Sequence, residues 1–124
     1  MEKPQLQHLG SGKEITKETA RAIVYPSAAL GIVHDIANNT QRYYYGHTGD
    51  IVSLALHPRG KIVATGQIGR EPMIHIWDST NTRCLGTVSG FHQRGVSHLV
   101  FSEDGTKLIS VGYDDDHSVA VHDW

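Results

Sequence analysis

The feature that most constrains this chain is that it repeats itself. Gly46-His47 is followed thirty residues after His47 by Trp77-Asp78, and His92 is followed thirty residues later by His122-Asp123. An offset of 45 pairs His47 with His92, Leu54 with Leu99, Gly60 with Gly105 and Asp78 with Asp123. An offset of 46 pairs Lys61 with Lys107 and Gly66 with Gly112, which predicts one residue of slippage taken up inside a loop. A chain built this way stacks similar units, each of which leaves an apolar face for its neighbour to cover.

Each unit reads as a run of short strands. Asp50 to His57 is rich in β-formers and closes at Pro58, with Arg59-Gly60 supplying the turn. Lys61 to Gly66, Met73 to Trp77 and Arg83 to Val88 follow as the second, third and fourth strands. In the second unit the strands are Gly95 to Ser102, Lys107 to Val111 and Ser118 to His122, with a turn at Glu103-Asp104-Gly105. Upstream, Ala29 to His34 and Gln41 to Tyr45 predict a strand pair across Asn38-Asn39. No amphipathic helix intervenes, so the architecture is all-β and antiparallel, and the period is that of a four-stranded β-propeller blade. The expected division is a flexible N-terminal segment over 1–21, a partial blade over 22–45, a first repeat over 46–90 and an incomplete second over 91–124. Closure takes about four to eight blades, so further blades are expected in cis and the chain reads as an excerpt. Faces carrying Ile51, Leu54, Val96 and Leu99 are expected to stand open without them.

Charge narrows the function classes. Eleven basic and 13 acidic side chains give a net charge of -2, which lacks the basic excess of a nucleic-acid or membrane-surface binder. The longest uncharged stretch, Ala22 to Val33, contains a proline and is too short to span a bilayer. Cys84 is the single cysteine, so no intrachain disulfide forms and a reducing compartment is expected.

No catalytic constellation emerges. The nine histidines include His117 and His122 at zinc-like spacing, but no second ligand pair accompanies them, so no metal is expected. Gly10-Ser11-Gly12-Lys13 ends like a phosphate loop, yet Gln7 stands where the first glycine belongs and Glu14 where a hydroxyl belongs. Asp114, Asp115 and Asp116 lack the alternating oxygens and distal glutamate of a calcium loop. No cofactor and no enzymatic activity are expected. Tyr43, Tyr44 and Tyr45 beside Arg42 alternate across a strand, so at least one belongs to the core.

Gly46-His47 with Trp77-Asp78, and the degenerate His92 with His122-Asp123, resemble the WD-repeat β-propeller family. That family links a histidine, a strand-two hydroxyl, a turn aspartate and the tryptophan through hydrogen bonds. The resemblance places His47, Thr65, Trp77 and Asp78 in the first network, with Gly69 in the aspartate's position. In the second it places His92, Asp115 and Asp123, with Val111 replacing the hydroxyl and His122 the tryptophan. A closer resemblance runs through Val24 to Val33, Gln41 to His47, Leu54 to Pro58, Val63 to Gly69 and Gln93 to Val96. These segments are similar to the echinoderm-microtubule-associated-protein-like family. The resemblance implies a non-enzymatic, cytoplasmic and cytoskeletal protein that binds tubulin or microtubules and other proteins, and neither nucleic acid nor membrane. Arg70 and Arg94 are the candidate partner-binding residues on its loops. The alternative is a WD-repeat scaffold subunit of another complex, without microtubule affinity.

Overall fold

The computed structural model describes residues 17–18 and 22–124, and every described element is a strand. The flexible segment expected over 1–21 lies outside the described residues, apart from β1 (Lys17–Glu18). Ten more strands follow: β2 (Ala22–Ser27), β3 (Leu30–Asp35), β4 (Thr40–Tyr44), β5 (Ile51–Leu56), β6 (Ile62–Gln67), β7 (Ile74–Asp78), β8 (Cys84–Val88), β9 (Val96–Phe101), β10 (Leu108–Gly112) and β11 (Val119–His122). They form antiparallel sheets in the orders β1-β2-β3-β4, β5-β6-β7-β8 and β9-β10-β11. The chain is thus a partial propeller of successive blade-like sheets.

The upstream pair expected from sequence is a four-stranded sheet, because β2 escaped the strand pattern. Pro26 lies inside β2, and proline normally argues against an inner strand. Among the described residues β1 pairs with Ile23 and Val24, and Pro26 faces Gly31 of β3 on the other side.

Two apolar seams hold the sheets together, one on each side of β5–β8. Val24, Val33 and Tyr44 of the first sheet meet Leu54, Val63 and Trp77. On the other side Ala55, Ala64, Ile74 and Ile76 meet Val96, Phe101 and Leu108. The middle sheet is therefore apolar on both faces, unlike the alternating pattern of a half-solvated sheet. Close approach needs missing side chains. A Cβ added at Gly31 would lie 2.8 Å from Trp77 Cζ2, and one added at Gly66 would lie 2.8 Å from Val96 Cβ.

The expected open faces are placed otherwise. Ile51, Leu54 and Val96 are buried between sheets, and Leu99 packs against the second seam. The open apolar face belongs to the far side of β9–β11. Cross-strand partners Val100, Ile109 and Val121 form one row there, and Val111 and Val119 another. Val100, Val119 and Val121 are 53%, 58% and 63% exposed.

The predicted slippage does not occur. His57 N bonds Ile62 O while Ser102 N bonds Lys107 O, and Gln67 N bonds Met73 O while Gly112 N bonds Ser118 O. Ile68 N bonds Asp50 O while Tyr113 N bonds Gly95 O, so the backbone keeps an offset of 45 from end to end. The Lys61–Lys107 and Gly66–Gly112 matches are coincidences of residue type.

Substituting Gly66→Ala is expected to cost about 1–3 kcal/mol by forcing the second seam apart. Gly86→Ala, where an added Cβ meets nothing within 4 Å, is the matched control and should change stability by less than about 0.5 kcal/mol. Thermal melts of both variants distinguish a tight seam from a loose one.

Candidate functional site: buried histidine relays and the loop ends of the sheets

Each repeat carries a chain of buried polar groups on the face that meets the preceding sheet. In the first, Trp77 Nε1 donates to Thr65 Oγ1 at 3.0 Å, and Thr65 Oγ1 lies 2.6 Å from His47 Nε2. His47 Nδ1 lies 2.7 Å from Gln67 Oε1, and Gln67 Nε2 donates to Thr48 Oγ1 at 3.1 Å. A consistent direction follows: indole N–H to threonine, threonine O–H to imidazole Nε2, imidazole Nδ1–H to the glutamine carbonyl. Trp77 and Thr65 are fully buried, and the Tyr44 ring stacks on Trp77 at 4.8 Å with planes 3° apart. Tyr44 Oη in turn lies 2.5 Å from His75 Nδ1, and burial, with the nearby Cys84 thiol, holds its phenol well above the usual range. Among the described residues, His75 Nε2 is the buried side-chain polar atom that finds no hydrogen-bond partner.

The second relay uses other residues than the sequence reading chose. His92 Nε2 lies 2.7 Å from Ser110 Oγ, and Ser110 Oγ lies 2.8 Å from His122 Nε2. His92 Nδ1 lies 2.9 Å from Ser118 Oγ, which donates to Asp114 Oδ1 at 2.6 Å. His122 takes the place of Trp77 as the N–H donor at the strand end. The hydroxyl is Ser110 and not Val111, and the aspartate is Asp114 and not Asp115. Both differences come from the one-residue slippage read into the sequence: at an offset of 45, Thr65 matches Ser110 and Gly69 matches Asp114. Asp115 is exposed and pairs with Arg94 at 3.1 Å.

The repeat-ending aspartates stand outside both relays. Asp78 Oδ1 accepts from Thr80 N at 2.8 Å and Thr80 Oγ1 at 2.5 Å, and the threonine hydroxyl chiefly holds its carboxyl below the usual range. Asp123 forms an exposed ion pair with Lys107. Gln67 and Thr48 were missed by the sequence reading; an amide at the end of β6 carries no signal until His47 is seen beside it. Ser110 was missed for want of the right offset, whereas Ser118 matches Met73 at that offset and carries no signal in the sequence.

The candidate partner-binding arginines sit in loops at the end of the sheets that holds His47 and His92. Arg70 lines an open cavity of about 400 Å³ with Glu71, Phe91 and His92. Arg94, at φ 69°, adopts a left-handed backbone held by the Gly69 N–H on its carbonyl at 2.9 Å. Among the described residues no group of three or more metal-ligating side chains comes together. The relays are chemically suited to fixing neighbouring strands, because each joins a loop, strand two and strand three across the sheet.

This construction, repeated at a constant offset in blade-like sheets, is that of a WD-repeat protein. The WD domain, G-beta repeat family matches residues 38–78 and 82–123, and the chain belongs to it. Each matched unit begins with the outermost strand of one sheet (β4 or β8) and continues through three strands of the next. Among similar proteins, echinoderm microtubule-associated protein-like 1 of Homo sapiens is 35% identical over 112 residues, covering 82% of this chain and 14% of its own. The 77 kDa echinoderm microtubule-associated protein of Lytechinus variegatus is 34% identical over 111 residues, covering 82% of this chain and 17% of its own. Echinoderm microtubule-associated protein-like 2 of Homo sapiens is 34% identical over 113 residues, with the same shares of 82% and 17%. The chain therefore spans about a sixth of the length of these relatives.

Burial lowers His47 from 6.5 to about 4, and it also lowers His75, His92 and His122. A proton on His47 Nε2 would face a threonine oxygen already bonded by Trp77. The unfolded chain thus takes up protons first, and stability is expected to fall as pH drops from about 6.5 to about 4, with His47 contributing on the order of 3 kcal/mol. A flat profile of melting temperature across that window would exclude neutral, buried relays.

Asp114→Ala is expected to cost about 1–3 kcal/mol, because Ser118 loses the acceptor of its hydroxyl and the relay its anchor. Asp115→Ala, at an exposed ion pair, should cost less than about 0.5 kcal/mol. Urea unfolding of the two variants reads the difference.

Proposed function

We propose that this chain is part of a non-enzymatic, microtubule-associated propeller that binds tubulin or microtubules through surface loops. The observation that carries the reading is its similarity, at 34–35% identity over 82% of its length, to relatives whose names make them microtubule-associated. The relays support it, since their polar atoms are consumed in holding strands and leave recognition to the loops. The same reading puts the protein in the cytoplasm, on the cytoskeleton. The 46–90 and 91–124 divisions are then successive blades, with 22–45 completing the one before. The open valine face of β9–β11 is covered by a further blade of the longer protein, which is the partner its apolar rows fit. Binding of other proteins, without nucleic acid, membrane or cofactor, belongs to the same reading.

Co-sedimentation with polymerised tubulin tests it. The protein is expected to pellet with microtubules at about 50 mM salt and to be released several-fold by about 200 mM, because exposed charge contacts are screened over about 10 Å. Absence from the pellet at low salt would overturn the reading and favour a scaffold role in another complex.

A further inference from the structure

The two ends of the sheets carry different charge. The loops at the relay end, 45–50, 68–73, 89–95 and 113–118, hold Arg70 and Arg94 against Asp50, Glu71, Asp114, Asp115 and Asp116. Arg94 is already paired with Asp115, and Arg70 neighbours Glu71 in its cavity. An anionic partner would meet net negative charge there, with like charges opposed.

At the opposite end, the middle sheet is basic. Arg59 and Lys61 lie in the β5–β6 turn and Arg83 in the β7–β8 turn, all exposed and, among the described residues, in no ion pair. Hydrogen bonds bring these turns together around Asp78-Ser79. Ser79 N and Ser79 Oγ both donate to Lys61 O, at 2.8 and 2.9 Å, and Asp78 N donates to Arg83 O at 2.9 Å. Arg42 Nη2 donates to Ser79 O at 2.9 Å, and this half-buried guanidinium is itself ion-paired through Nη1 with Asp35 at 3.9 Å. The carboxylate inside the cluster, Asp78, accepts hydrogen bonds from Thr80 N and Oγ1 and also feels the Lys61 ammonium, without forming an ion pair with it. In the adjoining β9–β10 turn Asp104 is held by Ser102 and Thr106, Lys107 pairs with Asp123, and Glu103 is exposed. That turn bounds the positive surface at the width of one sheet. A long polyanion such as RNA would run on into it, whereas a short acidic segment would not.

We propose that Arg59, Lys61 and Arg83 form the docking surface for an acidic, extended polypeptide segment, in place of Arg70 and Arg94. The inference rests on the microtubule reading only for which protein supplies that segment. Fluorescence anisotropy of a labelled polyglutamate peptide tests it directly. The protein is expected to bind the peptide, to release it as salt rises, and to lose at least about tenfold in affinity with Arg59→Glu, Lys61→Glu and Arg83→Glu together. Arg70→Glu with Arg94→Glu should leave affinity within about twofold. Should the reversed triple variant melt early by circular dichroism, the glutamine triple carries the same expectation. No binding by the native chain, equal binding by the triple variant, loss in the Arg70/Arg94 variant, or tighter binding of a single-stranded RNA would each overturn it. Peptide binding without microtubule pelleting removes the microtubule reading alone; pelleting without peptide binding removes this inference alone.

Discussion

The rest of the structure depends on one hydroxyl, that of Thr65, which is fully buried between two sheets and bonded on both sides. It accepts the Trp77 indole N–H and faces His47 Nε2, so strand β6, the end of β7 and the loop before β5 are tied at one point. Buried polar groups stabilise only when every member is satisfied, and this chain is satisfied in a single direction. Its direction requires a neutral imidazole, which the dry surroundings of the seam enforce. Once Trp77 is fixed, its ring becomes the platform on which Tyr44 of the preceding sheet stacks. Polar fixation within one sheet thereby sets the apolar contact between two.

The second repeat shows that the pattern of donors is what persists while the residues change. His122 supplies the N–H that Trp77 supplies in the first, and Ser110 supplies the hydroxyl of Thr65. On the far side of the histidine, Gln67 accepts directly, whereas Ser118 passes the bond on to Asp114. Each set closes without a stray proton. Trading indole for imidazole removes a large apolar ring, and the aromatic stack between sheets seen at Trp77 has no counterpart at His122. The backbone offset of 45 is unchanged through all of this, because turn and bridge hydrogen bonds, not side-chain types, set it.

Charge is distributed on a frame that these bonds fix. Loops at the relay end are crowded with aspartates, and Arg94 among them is paired with Asp115. Turns at the other end hold their carboxylates in their own backbone caps, as Asp78 and Asp104 do, and leave lysine and arginine facing solvent. A carboxylate engaged in capping still carries its charge, but it is fixed in place and does not swing to meet an approaching cation. The two ends therefore differ in what they offer a partner, although the chain as a whole is close to neutral.

Sequence by itself determined the all-β class, the repeat, most strand positions and the identity of His47, Thr65 and Trp77, because period-two strands and recurring turn residues are local signals. It also indicated that one of the three tyrosines belongs to the core, and Tyr44 is the buried one. Tertiary structure alone decided the rest. Pro26 sits inside β2, paired with Gly31, and Ser110 rather than Val111 entered the relay because hydrogen-bonded turns, invisible in residue identities, hold the offset constant. Which apolar face stays open, and which cations stay unpaired, depend on contacts between residues far apart in the chain. Such contacts follow from how sheets stack, and no local pattern encodes them.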